Sequence, residues 1–104
     1  MEPYQHIITN IKKYFPLTWK DKFLHGGCFW LAKYIHQQVP DSVIMINRQT
    51  MHAAIKIQNQ ILDITGSIPK ENFHPATKKE LKYMQKHFIP QFNTEQLANF
   101  LNNI

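Results

Sequence analysis

Three residues have types and spacing that could do chemistry together: the single cysteine, Cys28, and two polar residues of a later hairpin, His52 and Asp63. A thiol attacks a carbonyl only as thiolate. A helix N-terminus favours that form through its unpaired N–H groups and its dipole. Cys28 follows Gly26 and Gly27 and opens an apolar stretch, which places it at such a helix start. The glycines let the chain enter the helix at unusual angles and leave space beside the sulfur. The N–H groups of the same turn could hold an oxyanion. A nucleophilic cysteine needs a base, and the base needs an orienting group. His52 suits the first role and Asp63 the second.

Each residue also has a plainer reading. Cys28 shares a stripe with Leu31 and Ile35, as a core thiol would. His52 and Asp63, taken singly, read as solvated strand residues. The three in the order Cys, His, Asp favour a functional site.

The elements that must position them follow from hydrophobic periodicity. Residues 3–15 form an amphipathic helix on Tyr4, Ile8, Ile11 and Phe15, ended by Pro16. Residues 16–27 read as a connector. A helix runs from about Cys28 to Val39 on Leu31, Ala32 and Ile35, stopped by Pro40 and Asp41. Residues 42–48, SVIMINR, suit a buried strand. Residues 51–65 alternate as a hairpin, and Gly66 ends its second strand. Residues 67–75 read as a polar loop. Thr77 and Glu80 stand at capping-box spacing before a helix on Leu81, Met84 and Phe88. A last helix covers about 94–103.

This order predicts one α+β domain over residues 1–104. A small antiparallel three-stranded sheet packs against the Cys-bearing helix, with flanking N- and C-terminal helices. The site then depends on one turn. With a two-residue turn at Gln58–Asn59, Asp63 stands opposite Ala54 and diagonal to His52. Diagonal neighbours lie about 7–8 Å apart, within side-chain reach. A three-residue loop would send Asp63 to the other face. The His52 face also carries Ala54 and Thr65, and its small residues leave room for a helix start to approach.

The stretch from HGGCFW (25–30) to HAAIKIQNQILDITG (52–66) resembles the papain-like and transglutaminase-like cysteine hydrolase superfamily. It covers about 40 % of the chain. Gly-Gly before the cysteine and an aromatic after it are also similar to arylamine N-acetyltransferases. The resemblance implies Cys28 as nucleophile, His52 as general base and acid, and Asp63 as its orienter. It implies acyl transfer or hydrolysis at an amide or peptide bond, with a protein or peptide substrate. The spacings, 24 residues from Cys to His and 11 from His to Asp, are short for that superfamily. They point to a reduced member of phage or mobile-element type. Lys22 stands where papain-like enzymes often carry an oxyanion-hole glutamine, leaving His25 or Trp19 as substitutes. The alternative is a catalytically silent form of the same fold, binding or inhibiting a host protein or nucleic-acid complex.

Bulk composition narrows the rest. One cysteine excludes an intrachain disulfide and any zinc site built on several thiolates. It fits a reducing cytoplasm. The other histidines, at 6, 25, 36, 74 and 87, show no metal-ligand spacing, and no cofactor motif is present. No metal or cofactor is expected. No run reaches the roughly 20 apolar residues that a membrane span needs. Lys and Arg outnumber Asp and Glu, 12 to 7, for a net charge of +5. Lys78, Lys79, Lys82 and Lys86 with Tyr83 could meet the phosphates of a nucleic acid, but a solvated lysine face is the better reading. Trp30, two residues after the cysteine, is expected to wall the site or join the core.

Overall fold

The computed structural model describes residues 2–104. Helix α1 (Glu2–Tyr14) buries Tyr4, Ile7, Ile8 and Ile11, a stripe at helical spacing. The segment expected as a connector contains a further helix, α2 (Trp19–Leu24). Its six residues are too few to show a stripe in sequence, yet Phe23 is fully buried. Helix α3 (Cys28–Gln38) starts at the cysteine and buries Leu31, Ala32, Tyr34 and Ile35.

The sheet corrects the expected three strands. Among the described residues it has five, β1 (Val43–Asn47), β2 (His52–Ile57), β3 (Gln60–Asp63), β4 (Gly66–Ile68) and β5 (Phe73–Pro75), all antiparallel. Their order is β4-β3-β2-β1-β5. The two additional strands come from the segment expected as a loop. Both are three-residue edge strands, β4 followed by Pro69 and β5 ending on Pro75, and sheet edges tolerate proline. Gly66 does not end the hairpin. It opens β4, and its φ of +113° suits a glycine where the chain reverses.

Alternation along β2 divides the core. Ile55 and Ile57 pack with Leu62 and Ile64 under Leu31 and Ile35 of α3, and under α1. Ala54 packs on the other face with Met45 and Ile61. Helix α4 (Lys78–His87) carries the full capping box: Thr77 accepts from the Glu80 N–H, and Glu80 accepts from the Thr77 N–H. Helix α5 (Thr94–Asn102) closes the core with Leu97 and Leu101. Among the described residues no helix is long and apolar enough to cross a membrane.

The glycines before Cys28 are packed, which corrects the expectation of open space beside the sulfur. Gly26 has φ +104°, and a Cβ there would collide with the Ile89 carbonyl oxygen. Gly27 has ordinary helical angles, but a Cβ would strike the Lys22 carbonyl oxygen and the Phe92 ring. Gly26→Ala meets both a left-handed backbone and a backbone collision. It is expected to cost about 2–3 kcal/mol, read as a lowered thermal midpoint.

Candidate active site

The β2–β3 turn decides whether the site can form. Ile57 pairs with Gln60, so the turn is the two residues Gln58 and Asn59. Gln58 takes φ +57° to make it. The register then carries Asp63 to the His52 face. His52 opens β2, Asp63 closes β3, and the His52 Nε2 lies 2.8 Å from Asp63 Oδ2. Both are withdrawn from water, with side chains 16 % and 7 % exposed.

Asp63 uses its two oxygens differently. Oδ1 accepts the Thr65 N–H at 2.7 Å and the Thr65 hydroxyl at 2.5 Å, which shapes the turn into β4. Oδ2 is left to orient the imidazole. Burial alone would raise the Asp63 pKa. The bonds from His52 and Thr65 outweigh it and hold the carboxyl below its usual range. The Tyr4 hydroxyl donates to the Asp63 carbonyl at 2.5 Å and ties α1 to the end of β3. Burial, then the Asp63 charge, pushes that phenol up to about 12.

The basicity of His52 also responds to Cys28. Burial on its own lowers the imidazole. Hydrogen bonding to Asp63 and to Cys28, with the charges of both, reverses this and raises it to about 9. With Nε2 engaged by Asp63, Nδ1 is the ring nitrogen left for the thiol. His52 and Asp63 therefore meet at one end of the sheet, and Cys28 lies near enough to raise the imidazole.

The route by which Cys28 arrives differs from the expected one. Helix α3 lies on the opposite sheet face from Ala54, so the helix start does not approach over the small residues of the His52 face. Instead Cys28 packs with Phe29, Ala53, Ile46 and Met84 on the α3 side of the sheet. The sulfur is well covered: Cys28 is 4 % exposed.

The neighbours are also rearranged. Trp30 does not wall the site; it stacks on Tyr34 at 5.2 Å and meets Phe92 edge-on at 5.4 Å. Phe73 takes the place beside His52, edge to face at 6.3 Å. Lys22 reaches the Gln91 carbonyl at 3.0 Å, the Trp19 ring lies under the Lys12 ammonium, and His25 is exposed. Beyond the dyad lies a cavity of about 430 Å³ that His52 and Asp63 share with Asn47, Phe73 and Leu24.

Asn47 went unnoticed in the sequence. It stands directly across the β1–β2 ladder from His52 and is 7 % exposed. Its Oδ1 accepts the N–H groups of Gln49 and Thr50, fixing the turn that delivers His52. An asparagine five residues before the histidine, at the end of a β-branched run, was the available signal. Among the described residues no cluster of three or more His, Cys, Asp or Glu could hold a metal.

The family model described as Phage YunG-like protein matches residues 7–102. The chain belongs to this family. No curated protein and no solved structure matches it. The match spans all five strands and the Cys28, His52 and Asp63 positions. It accords with the expected phage connection.

Proposed function

We propose that this phage YunG-like chain is a cysteine-nucleophile hydrolase or acyl transferase acting on an amide or peptide bond, with the Cys–His–Asp order of papain-like and transglutaminase-like enzymes. The observation that carries the reading is the position of His52, bonded to buried Asp63 and influenced by Cys28 at once. Asp63 holds the ring by Nε2 and Nδ1 serves the sulfur. A raised imidazole is held as imidazolium by the Asp63 carboxylate, and an imidazolium is the partner that a reactive thiolate requires.

The steps balance on these groups. The Cys28 thiolate attacks the carbonyl carbon, an S–C bond forms, and the carbonyl oxygen takes the electron pair. The C–N bond then breaks, and the imidazolium of His52 gives its proton to the leaving amine. Water or an acceptor amine next loses a proton to His52 and attacks the thioester. The C–S bond breaks, and the thiolate is restored beside a protonated ring. Backbone N–H groups at the α3 start supply the oxyanion contacts. A protein or peptide is the substrate, and an unpaired thiol suits a reducing compartment such as the cytoplasm.

One observation favours the silent alternative. A sulfur 4 % exposed must gain access before it can react, and inert structural cysteines are buried in this way. Acyl-enzyme trapping separates the two readings. After incubation with 4-nitrophenyl acetate, the intact mass should show one added acetyl group, removed by hydroxylamine and absent in Cys28→Ser. An unmodified wild-type protein would support a binding protein that acts through its surface.

A further inference from the structure

A second constellation lies on the Cys28 side of the sheet. His74 pairs with Ile46 across β1 and β5, so it shares the face on which Ile46 packs against Cys28. Its Nε2 lies 2.9 and 2.8 Å from the two oxygens of Glu80. Glu80 is 7 % exposed and also accepts the Thr77 N–H. Burial would raise this carboxyl, and the bonds from Thr77 and His74 hold it below its usual range. Arg48 approaches with Nε 3.2 Å from Glu80 Oε2, while its side chain stays 74 % exposed.

The charge on Glu80 is thus shared among several donors, and most of the Arg48 guanidinium is left facing outward. It borders a groove of about 1010 Å³ lined by Ile46, Arg48, Met51, His74, Lys79 and Glu80. Two formal cations face one carboxylate there, so the groove carries an excess of positive charge. A guanidinium fork matches a carboxylate in shape and charge.

The groove is linked to the proposed nucleophile at three points. Ile46 lines it and belongs to the same apolar cluster as Cys28. Met51 lines it and precedes His52 in the chain. Met84 packs against Cys28 one helical turn after Glu80.

We propose that this groove is the substrate's anion subsite, in which Arg48 and Lys79 select acyl groups bearing a carboxylate, such as acidic peptides, for transfer to Cys28. The inference rests on the Cys28 reading and adds the class of substrate. Glu80 and His74 are positioning residues that hold Arg48 at the groove wall. Acidic substrate chains then gain affinity that neutral ones do not, and salt weakens the gain because the cations are exposed.

The test compares acylation of Cys28, followed by intact mass and released 4-nitrophenolate, for 4-nitrophenyl butyrate and the mono-4-nitrophenyl esters of glutarate and suberate. In each, the thiolate forms the S–C bond and 4-nitrophenolate leaves. The better of the two acidic esters is expected to react about tenfold faster than butyrate, the scale of one partly exposed charge-assisted contact. That ratio should fall towards one in 0.5 M salt (on the order of a Debye length of a few Å). It should also fall in Arg48→Gln and, independently of any effect on the Glu80 network, in Lys79→Gln. Acylation by all three esters at equal rates would overturn the anion subsite and leave the nucleophile standing. Acylation by none would overturn the nucleophile reading, and the subsite with it.

Discussion

His52→Ala should lower the rate of Cys28 acylation by about 10²–10⁴-fold, the usual contribution of a general acid–base group. The imidazole is the proton donor to the leaving group and the counterion of the thiolate, so both functions disappear together. Asp63→Asn should lower the rate less, because the ring remains but loses the charge that holds it. The double variant should be no slower than His52→Ala alone, since Asp63 acts only through the histidine. The readout is 4-nitrophenolate release, with Cys28→Ser as the zero. His52→Gln, which keeps a polar side chain in the pocket, guards against a fold defect. Losses that multiplied in the double variant would show that Asp63 has a role apart from the ring.

The second large effect is on stability against pH. His52 rises from an ordinary 6.5 to about 9 on folding. Its contribution is therefore full below pH 6.5 and is lost as pH rises through about 9. Asp63 moves the other way, below its ordinary 3.8. Its contribution is present above that value and is lost as pH falls through the lower folded value. The result should be a stability plateau bounded by an acid arm from Asp63, with Glu80 adding to it, and an alkaline arm from His52. A shift of that size in His52 corresponds to about 3 kcal/mol. Asp63→Ala should shrink both arms, leaving on the acid side the contribution of Glu80. It also strips Thr65 of its acceptor, so a loss of about 3 kcal/mol at pH 7 is expected. Urea midpoints from pH 3 to pH 10 read both arms. A flat profile in the wild type would mean that the His52–Asp63 pair contributes nothing to folding. By comparison Tyr4→Phe, which removes only the bond to the Asp63 carbonyl, should cost about 1 kcal/mol.

Much of the site was legible because it depends on local rules. The α3 start, the hairpin and the α4 cap each announce themselves within a dozen residues. The parity of the Gln58–Asn59 turn was the decisive unknown, and the register Ile57↔Gln60 resolves it. Other features were hidden for physical reasons. Helix α2 is six residues long and is held by the burial of Phe23 rather than by its own periodicity. Strands β4 and β5 are three residues each, and they exist because β3 and β1 offer them open edges. Alternation alone could not place α3, since the apolar face of the hairpin attracts the helix more strongly than the small, polar one. His74 looked like one scattered histidine, and Glu80 like a simple helix cap. Only the β1–β5 ladder brings them beside Arg48 and near Cys28.

Cys28 is the centre of the proposed site, as a thiol covered by Phe29, Ala53, Ile46 and Met84. The most direct measurement is the rate of its alkylation by iodoacetamide against pH in the folded protein. A free thiol titrates near about 8.5. A nucleophilic Cys28 is expected to label rapidly already at about pH 6–7, well below that value, with a marked slowing in His52→Ala. A Cys28 that resists labelling until the protein is unfolded, or that titrates like a free thiol with and without His52, would contradict that role.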